Sequence, residues 1–494
     1  MHVIQGTGGK DILSGTVGDD KIYGYAGDDF INGRGGADVI YAGSGDDHVG
    51  VPWSSFDPAS PSIVDGGPGE DMLIINPPGA AATLSLAYVR GFETIGLTTQ
   101  VSVTLTNANA PDASTILSVQ QGNVDASAVT AFHLAYWSGD GPLASSETVT
   151  GTSLSDTLYG KGVLNGGAGA DTITGNGQLN GGDGDDVLQA GILPTVLDGG
   201  PGNDVLRGAP WFPGATASYA DAPSGVTVNL LLTTAQDTIG AGVDTLSNIK
   251  QLIGSDFGDM LTGLATGSEL DGGGGADVLM GGPGDDRFNG GAGLDTVSYA
   301  NASAGVHADL ETSTPQNTLG AGTDFLVGIE KLIGSNFDDV LTAATGGSTL
   351  NGGLGDDILG GGAGADSLNG GGGADTLIGS DGKDLLTGGG GADRFVFTAM
   401  NHSPHGAPDT ITDFTHGADV IDLSGIDADT GAGGHQHFHL GGGGGHAGDI
   451  TVTYNAGSNQ TELDIWTGTH GPADGEILLN GDLHATLTAG DFVL

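Results

Sequence analysis

The sequence contains no cysteine and little positive charge. Its 494 residues include 11 Lys and Arg against 61 Asp and Glu, which gives a formal charge of −50. The missing cysteine excludes a disulfide framework and thiolate metal sites. The acidic balance argues against binding to nucleic acid or to an anionic membrane surface. No apolar run approaches the roughly 18 residues of a membrane span, and the first residues lack the basic and apolar regions of a cleaved secretory signal.

Glycine and aspartate are the abundant residues. The chain has 98 glycines, and 53 of its acidic residues are aspartate against only 8 glutamates. Both glycine and aspartate are poor helix formers and favour turns. The composition therefore predicts a turn-rich chain rather than a helical one. Apolar residues still make up 37% of the sequence, which is more than an acidic disordered tail would carry.

A nine-residue repeat accounts for much of this composition. From Gly6 the chain reads GTGGKDILS, GTVGDDKIY, GYAGDDFIN, GRGGADVIY and AGSGDDHVG, with Gly at the fourth position, Asp at the sixth and an apolar residue at the eighth. A second clean run starts at Gly352, and a third spans 272–298. Interrupted copies occur near Asp156, Asp259 and Asp339. Such a fixed period is typical of solenoid proteins.

Each repeat predicts a sharp turn followed by a very short strand. The glycines permit the left-handed backbone of the turn, and the tripeptide around the eighth position has one inward-facing side chain. Two repeats then make one coil of about eighteen residues, with successive coils stacked at the usual ~4.8 Å spacing between strands. The predicted fold is all-β, a parallel β-roll or β-helix solenoid with a thin apolar core.

Stacking these coils places the sixth-position aspartates in columns. Their carboxylates would repel one another, and 11 basic residues cannot neutralise them. Calcium is the cation that suits the site best, because it accepts six to eight oxygen ligands, including the backbone carbonyls that glycine-rich turns expose. Magnesium fits less well because it requires near-octahedral geometry. We therefore predict several bound Ca²⁺ ions, with these candidate ligands: Asp11, Asp20, Asp29, Asp38, Asp47, Asp71, Asp171, Asp186, Asp204, Asp277, Asp286, Asp295, Asp357, Asp366, Asp375, Asp384 and Asp393.

The repeat resembles the GGxGxDxUx signature of the RTX (repeats-in-toxin) family. GGPGDDRFN at Gly281 and GGAGADSLN at Gly361 are close to this consensus. The resemblance implies a parallel β-roll in which Ca²⁺ lies between successive turns, held by the sixth-position aspartates and by turn carbonyls. Lys10 and Lys383 stand beside the predicted ligands and depart from the consensus.

The repeats divide the chain into segments. We predict an N-terminal RTX β-roll (1–50), a strand-rich solenoid without calcium or a small β-domain (51–150), and interrupted RTX repeats (151–216). Two linker sequences resemble each other and open the next segments: a linker with RTX repeats (217–298) and a linker with the C-terminal RTX β-roll (299–396). The last segment (397–494) is predicted to be a β cap.

The C-terminal segment resembles the end of the β-roll in serralysin-type secreted metalloproteases. The chain closes with Asp491, Phe492, Val493 and Leu494, an acidic residue before three apolar ones. This ending is similar to the C-terminal signal of type I secretion substrates. The resemblance implies an extracellular protein that is exported by a type I secretion apparatus without an N-terminal signal.

No catalytic motif is recognisable. The HExxH zinc motif and the GxSxG nucleophile elbow are both absent from the sequence. His435, His437 and His439 alternate, so on a strand they could form a transition-metal patch on one face, whereas the surrounding glycines favour an exposed flexible segment.

We expect a calcium-binding RTX protein with a structural or interaction role, adhesin-like or surface-layer-like, with cell-surface polysaccharide or further copies of itself as partners. The alternative is an extracellular enzyme or an accessory module of one, related to the calcium modules of alginate epimerases.

Overall fold

The computed structural model describes residues 1–56, 61–76, 82–85, 88–97, 103–106, 116–119, 123–128, 133–137, 147–211, 214–441, 444–468 and 472–494. The chain forms two compact units, Met1–Ile253 and Gly254–Leu494, here called the N-terminal unit and the C-terminal unit. The described residues are almost entirely in short strands and turns, with three short 3₁₀ helices at Trp53–Phe56, Met400–His402 and Ala489–Asp491. Within these ranges no helix is long and apolar enough to cross a membrane.

The strands of the N-terminal unit are His2–Gln5, Ile12–Ser14, Asp20–Ala26, Phe30–Asn32, Val39–Ser44, His48–Pro52, Ile63–Asp65, Met72–Asn76, Ala82–Ser85, Val89–Arg90, Thr94–Leu97, Val103–Thr106, Ile116–Val119, Val124–Ala128, His133–Trp137, Glu147–Thr150, Thr157–Ala168, Thr172–Asp183, Val187–Asp198, Val205–Arg207, Ala215–Ser218, Thr227–Asn229, Gln236–Asp237, Val243–Ser247 and Gln251–Ile253.

The strands of the C-terminal unit are Met260–Thr262, Glu269–Asp271, Gly274–Gly275, Val278–Met280, Arg287–Asn289, Ala292–Gly293, Thr296–Ser298, His307–Asp309, Gln316–Leu319, Gly322–Val327, Lys331–Ile333, Val340–Thr342, Thr349–Leu354, Ile358–Gly360, Ser367–Gly372, Thr376–Ile378, Leu385–Gly390, Arg394–Val396, Asp409–Ile411, Val420–Asp422, His439–Leu440, Asp449–Asn455, Gln460–Ile465, Gly475–Asn480 and Phe492–Val493.

The N-terminal repeats form two parallel stacks of strands, one on each side of the coil. In one stack Ile22 pairs with Ile40, and in the other Leu13 pairs with Ile31. These eighth-position side chains point inward and are buried. The predicted coil of two nonapeptides is therefore confirmed, and the predicted all-β parallel solenoid with it. Burying one apolar side chain per half-coil gives a core only one residue deep on each side.

Coil length changes along the N-terminal unit. Between Thr157 and Asp198 the strands are twelve residues long, and Leu158 pairs with Ile173, which pairs in turn with Leu188. Each of these coils is 15 residues long, the spacing between Asp171 and Asp186, and has a single aspartate turn. One edge of the coil keeps the RTX turn, while the other edge turns through a shorter sequence.

The described strands between 72 and 150 also pair in parallel. Thr94 pairs with Met72 on one side and with Ile116 on the other, and Ala135 pairs with Thr157 at the start of the next repeats. Parallel stacking thus runs through this strand-rich segment. Most of the segments that connect these strands lie outside the described residues.

The C-terminal unit repeats the two-stack arrangement and is closed by its last strands. One stack carries Leu350, Leu368 and Leu386 in register and ends in Asp409–Ile411, followed by Gly475–Asn480. Gly475–Asn480 belongs to an antiparallel sheet with Gln460–Ile465 and Asp449–Asn455. In the other stack Ile421 pairs with Phe492. Both stacks therefore end in segments from the last hundred residues, which cover strand edges that would otherwise be open.

Candidate metal sites

The aspartate turns are built by stacking one coil on the next. In the repeat that begins at Gly166, the backbone N–H of Asp171 donates to Oδ1 of Asp186, 2.7 Å away. Asp186 in turn donates its N–H to Oδ1 of Asp204 at 2.8 Å. We call each such series, in which the N–H of one sixth-position residue donates to the carboxylate of the next coil, an aspartate ladder. The ladders explain why the aspartate recurs in register with the coil.

The described residues contain several ladders. In the N-terminal unit they run from Asp11 through Asp29, Asp47 and Asp71 to Glu93, from Asp20 to Asp38, and from Asp156 through Asp171, Asp186 and Asp204 to Asp244. In the C-terminal unit they run from Asp259 through Asp277 and Asp295 to Glu330, from Ser268 through Asp286 to Asp324, from Asp339 through Asp357, Asp375 and Asp393 to Asp419, and from Ser348 through Asp366 and Asp384 to Asp409.

The structure brings every predicted site residue into one of these ladders. All of them are buried except Asp11, which is partly exposed in the first coil. Sequence reasoning missed the members that lie outside clean nonapeptides. Asp244 and Asp324 belong to the two linker sequences, where no chemistry was visible, and Asp409 belongs to the start of the cap. The signal that could have found the first two is the shared GAGxD sequence, which keeps the Gly-x-Asp end of the repeat.

The second carboxylate oxygen of most ladder aspartates has no partner. Within the described part of the chain, Oδ2 is buried and accepts no hydrogen bond in Asp29, Asp38, Asp47, Asp71, Asp171, Asp186, Asp204, Asp277, Asp295, Asp357, Asp366, Asp375, Asp384, Asp393 and Asp409. A buried carboxylate oxygen without a donor is costly. The three arginine–carboxylate ion pairs of the described residues, at Asp65, Glu269 and Asp422, involve no ladder aspartate.

The first residue of most repeats is a glycine, and its surroundings show where a ligand could sit. A Cβ built on Gly352 would lie 2.1 Å from Oδ2 of Asp357 and 2.6 Å from the backbone carbonyl oxygen of Gly370 in the next coil. A Cβ on Gly166 would meet Oδ2 of Asp171 at 2.1 Å and the carbonyl oxygen of Gly181 at 2.5 Å. An anionic oxygen and a carbonyl oxygen from the next coil therefore converge beside the glycine. This all-oxygen donor set fits calcium.

Burial and like charge act together on these carboxyl groups. Desolvation raises the pKa of Asp171 to about 7, and the charges of Asp156 and Asp186 add to the shift, against the hydrogen bond from the Asp156 N–H. Desolvation likewise raises the pKa of Asp204 to about 8. In the absence of a cation, burial thus disfavours the carboxylate form in these turns, and a divalent cation would stabilise it.

A different cluster lies in the C-terminal cap. His405 Nδ1 is 3.1 Å from Oε2 of Glu476 and 3.9 Å from Oδ1 of Asp464. Among the described residues, this is the one place where three side chains bring potential ligand atoms within 4.8 Å of one another. Asp464 and Glu476 lie opposite each other on antiparallel strands, so a protonated His405 would relieve their repulsion.

The alternating histidines are exposed, with the buried Phe438 between two of them. The ring centroids of His435 and His437 are 6.1 Å apart, and Nδ1 of His437 lies 2.9 Å from the backbone oxygen of Leu494. Transition-metal binding by this segment with His439 stays a prediction.

Comparisons with known proteins agree with this architecture. The family described as Peptidase M10 serralysin C terminal matches residues 165–494, and the RTX calcium-binding nonapeptide repeat (4 copies) matches residues 5–40, 29–49 and 150–178. The metallopeptidase AprA of Pseudomonas marginalis is 46% identical over 80 residues, which is 16% of this chain and 16% of that protein. The chain thus aligns with only about a sixth of that curated relative's length.

Two solved structures are also similar in sequence. The AlgE6R2 subunit of the Azotobacter vinelandii mannuronan C5-epimerase is 31% identical, with a TM-score of 0.23, over 33% of this chain and 91% of that one. The AlgE6R3 subunit of the same enzyme is 31% identical, with a TM-score of 0.20, over 32% of this chain and 78% of that one. Since the serralysin family match spans two thirds of the sequence, the chain belongs to the peptidase M10 serralysin C-terminal family and carries RTX calcium-binding nonapeptide repeats.

Proposed function

We propose that this chain is a secreted protein whose RTX repeats fold on binding extracellular Ca²⁺, and that the folded solenoid serves a structural or interaction role, adhesin-like or surface-layer-like. The observation that carries the proposal is the set of buried Oδ2 atoms without a hydrogen-bond donor, stacked coil after coil. Several of them, including those of Asp171, Asp277 and Asp357, lie near a backbone carbonyl of the next coil beside the first glycine of the repeat. Calcium would satisfy both oxygens at once.

The balance between the core and the aspartate ladders supports coupling of folding to calcium. One buried apolar residue per half-coil offsets little of the backbone entropy that 98 glycines lose on folding. The buried carboxylates oppose folding further when no cation is present. At low calcium the chain is then unfolded, and at the higher calcium concentration outside the cell the free energy of metal binding becomes free energy of folding.

The C-terminus supports export in the unfolded state. Asp491 is fully buried and Phe492 is nearly so, and Oδ1 of Asp491 accepts a 2.9 Å hydrogen bond from the backbone N–H of Gly417. A type I apparatus that reads these last residues would find Asp491 and Phe492 accessible before the cap forms and buried afterwards. The proposed order is export first, calcium binding second.

A calcium titration of the full chain, followed by circular dichroism and by light scattering, tests this function. We expect a coil-like spectrum in excess chelator, conversion to a β spectrum as Ca²⁺ rises, and no such conversion with Mg²⁺ at the same concentration. A β spectrum that persists in chelator at neutral pH would contradict folding on calcium. A rise in scattering mass that requires Ca²⁺ supports a self-associating surface role, and a folded monomer at all concentrations would contradict self-association.

A further inference from the structure

Most aspartate turns fall into two classes that differ at the second position of the repeat; in the turns at Asp286 and Asp419 the second residue donates only its backbone N–H to Oδ2. In most turns, which we call open turns, this position leaves Oδ2 of the sixth-position aspartate without a donor. In five turns, which we call capped turns, the second residue is Thr or Ser and donates both its backbone N–H and its hydroxyl to that carboxylate. The second and sixth residues of the capped turns are Thr7 and Asp11, Thr16 and Asp20, Thr152 and Asp156, Ser255 and Asp259, and Ser335 and Asp339.

Two donors reach the carboxylate in each capped turn. The backbone N–H of Thr152 donates to Oδ2 of Asp156 at 2.6 Å, and its hydroxyl donates to Oδ1 at 3.0 Å. Oδ1 of Asp156 also accepts the N–H of Leu134 from the preceding coil at 2.6 Å. Both oxygens of this buried carboxylate therefore have protein donors. A buried acid that is bonded in this way has no need of a cation to complete its hydrogen bonding.

The same arrangement recurs in the C-terminal unit. Ser335 donates its N–H to Oδ2 of Asp339 and its hydroxyl to Oδ1 at 2.8 Å, and the N–H of Val306 completes the set at 2.7 Å. Ser255 bonds Asp259 in the same way, with the N–H at 2.6 Å and the hydroxyl at 2.9 Å. The same set of bonds therefore forms at separate points of the chain.

Backbone conformation separates the two classes. The second residue of an open turn adopts a positive φ, as at Gly167 (112°) and Gly353 (108°), and this is so even for Arg34 (69°). None of the five capping residues is among the described residues with positive φ. Ser380 provides an internal comparison: it is a serine at the second position, but its φ is 66°, and Oδ2 of Asp384 stays without a donor. The hydroxyl alone is thus insufficient, since the N–H must also point to the carboxylate.

The first glycine does not distinguish the classes. A Cβ on Gly151 in a capped turn would lie 2.4 Å from Oδ2 of Asp156, and a Cβ on Gly166 in an open turn would lie 2.1 Å from Oδ2 of Asp171. The approach of the carboxylate to the turn is therefore similar in both. What differs is whether the second residue donates to that carboxylate.

We propose that the second position of the repeat decides whether an aspartate turn takes a calcium ion, and that the Thr- and Ser-capped turns are metal-free closures of the aspartate ladders. This inference rests on the proposed calcium function and refines it. Capped turns stand where ladders begin, since Asp156, Asp259 and Asp339 are each the first aspartate of a described ladder. The coil that precedes such an aspartate contributes no RTX turn at that edge. The Thr or Ser residue instead supplies hydrogen bonds to the carboxylate. Asp11 and Asp20, which the sequence suggested as ligands, also lie in capped turns, but at Asp20 both bonds from Thr16 go to Oδ2 and the buried Oδ1 has no donor.

Calcium stoichiometry of matched variants tests the proposal. Asp171→Asn in an open turn is expected to lower the number of ions bound per full chain by at least one, as measured by equilibrium dialysis at saturating calcium. Asp156→Asn in the adjacent capped turn is expected to leave that number unchanged. Asp482→Asn, at an exposed residue that lies in none of the ladders, controls for the loss of one negative charge.

The pair Asp277→Asn and Asp259→Asn repeats the comparison in the C-terminal unit, so a variant that fails to fold in one unit leaves the other comparison intact. Equal losses of calcium from the open and capped variants would overturn the role of the second position. Absence of calcium binding by the unaltered chain would instead contradict the proposed function itself.

Discussion

The backbone N–H of Asp357 donates a 2.8 Å hydrogen bond to Oδ1 of Asp375, one 18-residue coil farther along the chain. The same bond links Asp339 to Asp357 before it and Asp375 to Asp393 after it. One oxygen of each carboxylate is thereby used to fix the register of the coils, and the other is left facing the turn. The register and the proposed ion site therefore depend on the same side chain.

Low pH should partly substitute for calcium in stabilising the folded chain. Burial raises the pKa of Asp357 to about 7 from an ordinary 3.8, and other open turns behave alike. Because the metal-free folded chain then binds more protons than the unfolded chain, protonation stabilises the metal-free fold. This contribution is complete below about pH 4 and is lost as the pH rises to about 7. We expect circular dichroism in chelator to show more β structure at pH 4 than at pH 8, and the reverse order would contradict the burial of these acids.

Gly352→Ala should damage one ion site. The added Cβ would lie 2.1 Å from Oδ2 of Asp357 and 2.6 Å from the carbonyl oxygen of Gly370. Crowding of this kind costs about 1–3 kcal/mol, and it also occupies the space between two proposed ligands. We expect the calcium midpoint of folding to rise. Gly390→Ala is the matched control, because a Cβ there meets nothing within 4 Å; equal midpoints for the two variants would contradict the assignment of this space.

Phe492→Ala should loosen the C-terminal closure. Phe492 is 7% exposed and its strand pairs with Val420–Asp422 at the end of one stack. Removing a buried phenylalanine side chain costs about 3–5 kcal/mol. In thermal unfolding at saturating calcium we expect a lower Tm than for the unaltered chain. Leu494→Ala alters a partly exposed neighbour and serves as the control; a Tm shift no larger than that of the control would show that the last strand is not part of the closure.

The sequence predicted the periodic features and missed those that depend on neighbouring coils. The apolar eighth position and the aspartate sixth position recur visibly, so the stacks of Ile22 with Ile40 and the aspartate ladders could be expected. The 15-residue coils around Leu158 and Ile173 were not expected, because they lose one nonapeptide turn and keep only the other.

The ends of the ladders were also hidden. Glu93 and Glu330 accept the last N–H of their ladders from positions without a repeat motif, and only the stacked coil places them there. The conformation of the second residue is similarly invisible in the sequence. Ser335 and Ser380 are the same residue type at the same position, and the backbone gives them opposite relationships to the carboxylate.

A crystal structure of the calcium-saturated chain, with anomalous scattering used to locate Ca²⁺, is the most direct measurement. We expect an ion bound to Oδ2 of Asp357 and to the carbonyl oxygen of Gly370, with equivalent ions at the other open turns. Density that shows this carboxylate and its equivalents with no ion beside them, in crystals grown at ample calcium, would contradict it.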